Sequence, residues 1–133
     1  MFVDASAIVA ILTREAEADA LADRLDIASG CITSAIALFE SALAISRKRQ
    51  ANVAEARDAV REFLRLAQID LVAVTPADGD AALEAFARYG KGRAHPAQLN
   101  LADCFAYAMA KNHAVPLLFK GGDFAKTDIW DGR

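Results

Sequence analysis

Basic excess, paired cysteines, proline and long apolar runs are all scarce in this 133-residue chain, and each shortage removes a class of protein. Only two cysteines occur, Cys31 and Cys104, far apart and with no histidine at zinc-ligand spacing. That excludes a disulfide scaffold and a thiolate zinc site, and it suits two buried, reduced thiols. Fifteen basic against eighteen acidic side chains leave a net charge of −3. A binder that relied on phosphate neutralisation alone would be basic. Any nucleic-acid role therefore falls to a local basic patch, or to metal ions that reverse the sign of an acidic pocket. The longest uncharged stretch, Ile27 to Phe39, is too short and too polar to span a bilayer. Asp4 sits where a secretory signal would be basic, so a soluble, cytoplasmic protein is expected. Trp130, Tyr89 and Tyr107 form no evident base-stacking series.

What is present suits one folded domain over residues 1–133: 55% hydrophobic and 25% charged residues, with only three prolines. Met1-Phe2-Val3 reads as a first strand ending at Asp4, and Ser6 as the cap of a short apolar helix, Ala7 to Leu12. Glu15 to Ala28 has helical spacing. Cys31-Ile32-Thr33 reads as a second strand, and Ser34 caps a helix to Arg49 whose last turn is basic. Val53 to Ala67 is amphipathic. Asp70 to Val74 is strand-like, and Thr75-Pro76 opens a helix that closes near Tyr89-Gly90. A polar loop precedes Asn100, the cap of a helix from Leu101 to His113, and Pro116 to Phe119 is a last strand. Short apolar strands alternating with helices argue for an α/β sandwich around a mainly parallel sheet. Ligands bind such sheets outside the carboxyl ends of the strands.

Four acids stand in unusual places. Asp4 terminates the first strand. Glu40 is the only charged residue between Ile27 and Ala44. Asp103 lies in the first turn of a helix whose following residues, Cys104 to Ala110, are uncharged. Asp123 follows the double glycine after the last strand. Each alone has a plain explanation as a turn residue, a solvated charge or a dipole-favoured acid. Together, four carboxylates in one pocket would raise one another's pKa unless a divalent cation removed the cost. Mg²⁺ or Mn²⁺ bound by oxygen ligands can activate water against a phosphodiester without histidine.

Four ordered segments, Met1-Phe-Val-Asp4-Ala-Ser6-Ala-Ile-Val-Ala, Thr33-Ser-Ala-Ile-Ala-Leu-Phe-Glu40, Leu99-Asn100-Leu-Ala-Asp103-Cys-Phe-Ala-Tyr-Ala and Leu118-Phe-Lys-Gly-Gly-Asp123-Phe with Thr127-Asp128-Ile, resemble those of PIN domains. The length and the Lys91 to Leu99 loop resemble the VapC toxin branch most. The resemblance implies a PIN-like α/β/α sandwich and an Mg²⁺- or Mn²⁺-dependent endoribonuclease, with Asp4, Glu40, Asp103 and Asp123 as metal-binding acids. It implies Ser6 and Asn100 in support, and Asp128 as the alternative last ligand. It further implies a small antitoxin whose C-terminal segment covers the site, and a homodimer. Ala5 departs from the hydroxyl residue that relatives commonly carry there.

Lys91 and Arg93 on the loop before Asp103, and Lys120 before Asp123, bracket the proposed ligands and could grip RNA phosphates. His95 on that loop is not needed as a base, and Lys91-Gly92 lacks the pattern of a P-loop. Three rivals are weighed. A haloacid-dehalogenase-type phosphohydrolase needs a second aspartate where Ser6 stands. A catalytically silent PIN-fold binding module and a nuclease acting on DNA or in RNA processing share the fold.

Overall fold

The computed structural model describes residues 1–133. Its order is β1 (Phe2–Val3), α1 (Ala5–Leu12), α2 (Ala18–Ile27), β2 (Ile32–Ser34), α3 (Ala35–Arg49), α4 (Val53–Leu66), β3 (Asp70–Val72), α5 (Pro76–Tyr89), α6 (Leu101–Asn112) and β4 (Leu117–Leu118), followed by a short 3₁₀ turn, Phe124–Lys126. The sheet runs β3-β2-β1-β4 and all its pairings are parallel. Strand order reverses direction between β1 and β4, so the crevice for a ligand lies at the carboxyl ends of those two strands.

Alternation along the strands divides the core in two. Val3 and Leu118 point to one face, where they join Ile8, Leu21, Ile45, Val60 and Leu64 of α1 to α4. Phe2 and Leu117 point to the other, with Ala85, Tyr89, Tyr107 and Met109 of α5 and α6. Period-two alternation on a sheet covered on both sides yields the three-layer α/β/α sandwich. Both cysteines are buried and unpaired.

Local capping sets most helix starts as expected. Ser34 accepts from the Ala37 N–H. Thr75 with Asp78, and Asn100 with Asp103, form reciprocal capping boxes. β1, β2 and β4 are shorter or shifted by one residue against expectation, and three further boundaries differ for identifiable reasons. Asp4, not Ser6, caps α1, because its carboxylate accepts the Ser6 N–H and the helix therefore opens at Ala5. Arg14 adopts a left-handed conformation (φ 57°) just after α1, so Glu15 falls in a turn and α2 begins only at Ala18. β3 stops at Val72 rather than Val74, since its partner β2 ends at Ser34, where α3 begins.

Candidate active site

β1 delivers Asp4 to the carboxyl edge of the sheet, where only 3% of the residue is exposed. The Asp4 backbone N–H donates to Leu118 O at 3.0 Å, which ties it to β4. Its Oδ2 accepts both the Ser6 N–H (2.9 Å) and the Ser6 hydroxyl (2.6 Å). Ser6 Oγ in turn accepts the Lys120 N–H at 3.0 Å. One hydroxyl thus clamps the acid after β1 to the chain after β4. Ala5, itself buried, contributes no hydroxyl, and Ser6 alone takes that role.

An open cavity of about 250 Å³ lies here, lined by Asp4, Ser6, Glu40, Asp103, Glu15 and Lys120 among others. Glu40 comes from α3 and Asp103 from the first turn of α6. The Asn100 side chain accepts the Asp103 N–H at 2.9 Å, and Asp103 Oδ2 accepts the Asn100 N–H at 3.0 Å. Asn100 therefore fixes the aspartate's rotamer as well as the helix end.

The electrostatics are those of crowded acids. Burial holds Asp4 above the ordinary carboxylate range, against the lowering effect of the Ser6 hydroxyl and N–H. Burial, then the charges of Asp4 and Asp103, pushes Glu40 up to about 7. Asp103 rises to about 6, chiefly through burial, with Asp4 and Asp123 adding and the Asn100 N–H opposing. A site in which acids resist ionisation is poised for a positive charge.

The donors suit a hard divalent cation. They are carboxylate oxygens, without thiolate or imidazole, and no hydrogen bond from the chain lowers Glu40. These acids line one cavity, but no three of them stand close enough together to form a ready-made metal-ligand group. A hard divalent ion that keeps several waters needs only one or two carboxylates directly.

The remaining expected residues are placed less centrally. Asp123 is exposed, lies 3.8 Å from Lys126, and reaches the site through its charge on Asp103 rather than by lining the cavity. Asp128 is occupied elsewhere: it accepts the hydroxyls of Tyr107 and Tyr89 and pairs with Lys111 at 3.1 Å. Those partners, the Tyr107 hydroxyl first, hold it below the usual carboxylate range. Lys91 and Arg93 are exposed on a loop pinned at its base, where Lys91 and Leu99 N–H groups donate to Leu99 O and Tyr89 O. His95 packs edge-on against Tyr89 and its Nδ1 accepts the Ala97 N–H.

Glu15 and Lys48 were not singled out from the sequence. Glu15 bridges Lys48 and Lys120, the latter at 2.7 Å, and so fixes a lysine at the rim of the acidic cavity. Their spacing along the chain carries no periodic signal. Only the left-handed turn at Arg14 brings Glu15 there.

Comparison with known proteins agrees with this geometry. The PIN domain family model matches residues 1–129. A VapC ribonuclease of Rhizobium meliloti is 41% identical, over 96% of this chain and 98% of that protein. Ribonuclease VapC28 of Mycobacterium tuberculosis is 38% identical over 97% of this chain and 95% of its own length. Among solved structures, Mycobacterium tuberculosis VapC20, described as a sarcin-ricin loop cleaving toxin, superposes with a TM-score of 0.76 over 99% of this chain and 98% of that one. At 18% identity that likeness speaks for the fold alone. The near-complete family match and the relatives near 40% identity say the same thing as the two-faced parallel sheet with acids at its carboxyl edge: this chain belongs to the PIN domain family.

Proposed function

We propose that this chain is a metal-dependent endoribonuclease that acts in the cytoplasm as the toxin of a toxin–antitoxin pair. The observation that carries the reading is the cavity at the β1/β4 edge, which Asp4, Glu40, Asp103 and Lys120 line together. Asp4, Glu40 and Asp103 hold the cation, with Asp123 as the fourth acid, and Mg²⁺ or Mn²⁺ fits their hard oxygen character. When bound, such an ion polarises the phosphodiester and eases deprotonation of the attacking water.

The chain's own residues do the positioning. Ser6 and Asn100 hold Asp4 and Asp103 by one carboxylate oxygen each, which limits their motion during the reaction. The lysine ammonium of Lys120 faces the phosphate as it gains charge, while Lys91 and Arg93 contact phosphates further along the strand. An antitoxin segment carrying a basic side chain would occupy the same acidic cavity and block it. A second copy of the chain covers the apolar face formed by Phe39, Leu83 and Leu101, each about two-thirds exposed.

Purified protein is expected to cut a mixed RNA substrate when Mg²⁺ or Mn²⁺ is supplied, and to stop on addition of a chelator. Cleavage that persists in chelator would overturn the metal assignment. Intact RNA under every metal condition, with the protein folded, would favour the silent binding module instead. Light scattering at micromolar concentration should report twice the 14.2 kDa chain mass; a monomer removes the dimer.

A further inference from the structure

A second cavity, of about 520 Å³, opens beside the acidic one and shares Lys120 with it. It runs between α2 and the C-terminal tail, and Arg24, Phe119, Trp130 and Arg133 contribute to its walls. Its size falls in the range of about 300–1,000 Å³ usual for small-ligand sites.

The tail that forms one wall is fastened. Leu117 N–H donates to Trp130 O at 2.9 Å, extending the β4 edge, and the Arg24 guanidinium donates to Asp131 O. The chain is therefore held at the Trp130 carbonyl and at the next residue, yet 59% of Trp130 is exposed. A large aromatic whose backbone is tethered and whose surface is mostly exposed is accessible to a planar partner. The cations nearby are Arg24, Lys120 and Arg133. Arg24 is lowered by burial and by Arg133, so two guanidiniums crowd one wall. Glu17 and Asp131 also line the cavity, and Asp131 pairs with Arg133 at 3.1 Å. The chemistry of a fixed aromatic beside guanidiniums, one lysine away from the proposed scissile phosphate, is that of a stacked base with its phosphates alongside.

We propose that this groove is a nucleotide subsite, in which a base next to the cleaved bond stacks on Trp130 and its phosphate lies toward Arg24 and Arg133. It rests on the ribonuclease reading and adds where the strand runs as it leaves the acidic cavity. The sequence alone shows no stacking series because the platform is one residue, and its neighbours come from α2 and β4.

Trp130 is the sole tryptophan of the chain, so emission reports on this residue alone, which borders both this groove and a neighbouring cavity toward Met1 and Pro116. Full-length Asp4→Asn protein, to prevent turnover, is titrated with a single-stranded oligoribonucleotide of about ten residues, by tryptophan emission and by anisotropy of a labelled RNA. The expected result is quenching that follows the anisotropy curve. Trp130→Ala should weaken RNA binding by about tenfold, and Trp130→Phe should restore most of it. In the otherwise native enzyme, Trp130→Ala should raise KM and leave kcat nearly unchanged. RNA that binds the Asp4→Asn protein without changing its emission, and is cut by the native enzyme, would overturn the subsite and leave the nuclease intact. So would a Trp130→Ala variant that binds RNA normally but loses a protein partner. RNA that neither binds nor is cut overturns the nuclease reading itself, which separates the two failures.

Discussion

Asp103, in the first turn of α6, and Asp128, which bonds Tyr107 and Lys111 further along that helix, are treated in opposite ways by their surroundings. Asp103 is raised to about 6 by burial, with Asp4 and Asp123 adding to it. Asp128 is held low by the Tyr107 hydroxyl, with Lys111 and Tyr89 adding to it. The first acid is placed against its own preference, as part of a pocket that favours an added positive charge. The second is satisfied by the fold and fastens the chain's tail to α5 and α6. A carboxylate near a conserved-looking motif is thus no sign of a ligand by itself; what matters is whether its neighbours oppose or complete its charge.

Substitutions can break this contrast. Asp103→Asn should lower the rate of RNA cleavage about 100-fold or more in a single-turnover assay at saturating Mg²⁺, with an unchanged circular dichroism spectrum. Asp128→Ala should do the reverse: an unchanged cleavage rate, and stability lower by about 1–3 kcal/mol in urea titrations, since the Tyr107 and Tyr89 hydroxyls and Lys111 lose their partner. If Asp128→Ala abolished cleavage while leaving stability intact, Asp128 would have to be the last ligand after all.

A smaller effect concerns pH. Glu40 is pushed up to about 7 in the folded chain, from an ordinary 4.5. Its folded state therefore holds the proton more tightly than the unfolded one. The stability this contributes is full below the ordinary value and is lost as pH rises through about 7. Metal-free Glu40→Gln should accordingly melt higher than the parent at pH 7.5, by the equivalent of about 1 kcal/mol once solvent screening is allowed for, with no gain at pH 4. Equal melting temperatures across that window would show that neither burial nor the neighbouring acids penalise the Glu40 charge. Smallest of all, joint replacement of Lys91 and Arg93 by alanine should reduce the salt dependence of RNA binding by about one to two counterions, with kcat unaltered.

Much of this arrangement is legible along the chain. The caps at Ser34, Thr75 and Asn100 are local signals, because the bonds they make span three residues. The α/β alternation and the acids at strand and helix ends follow from the same short-range logic. Two features escape it. Lys48, Glu15 and Lys120 meet only through the packing of α3, the turn after α1 and the end of β4. Asp128 is distinguished from Asp123 only by tyrosines on α5 and α6 that close around it. Both depend on pairs far apart in sequence, where side-chain type carries no information about its partner.

Asp4 caps α1, and Asp103 completes the capping box of α6 with Asn100, while both line the cavity. The reactive groove is consequently assembled by the same hydrogen bonds that start α1 and α6, and it exists as soon as the chain is folded, before any ion or substrate arrives. Drift at either position is doubly penalised. Asparagine can keep the capping hydrogen bond while discarding the charge, whereas alanine forfeits both. An inactive descendant of this protein would therefore be expected to carry amides at these two places sooner than small apolar residues.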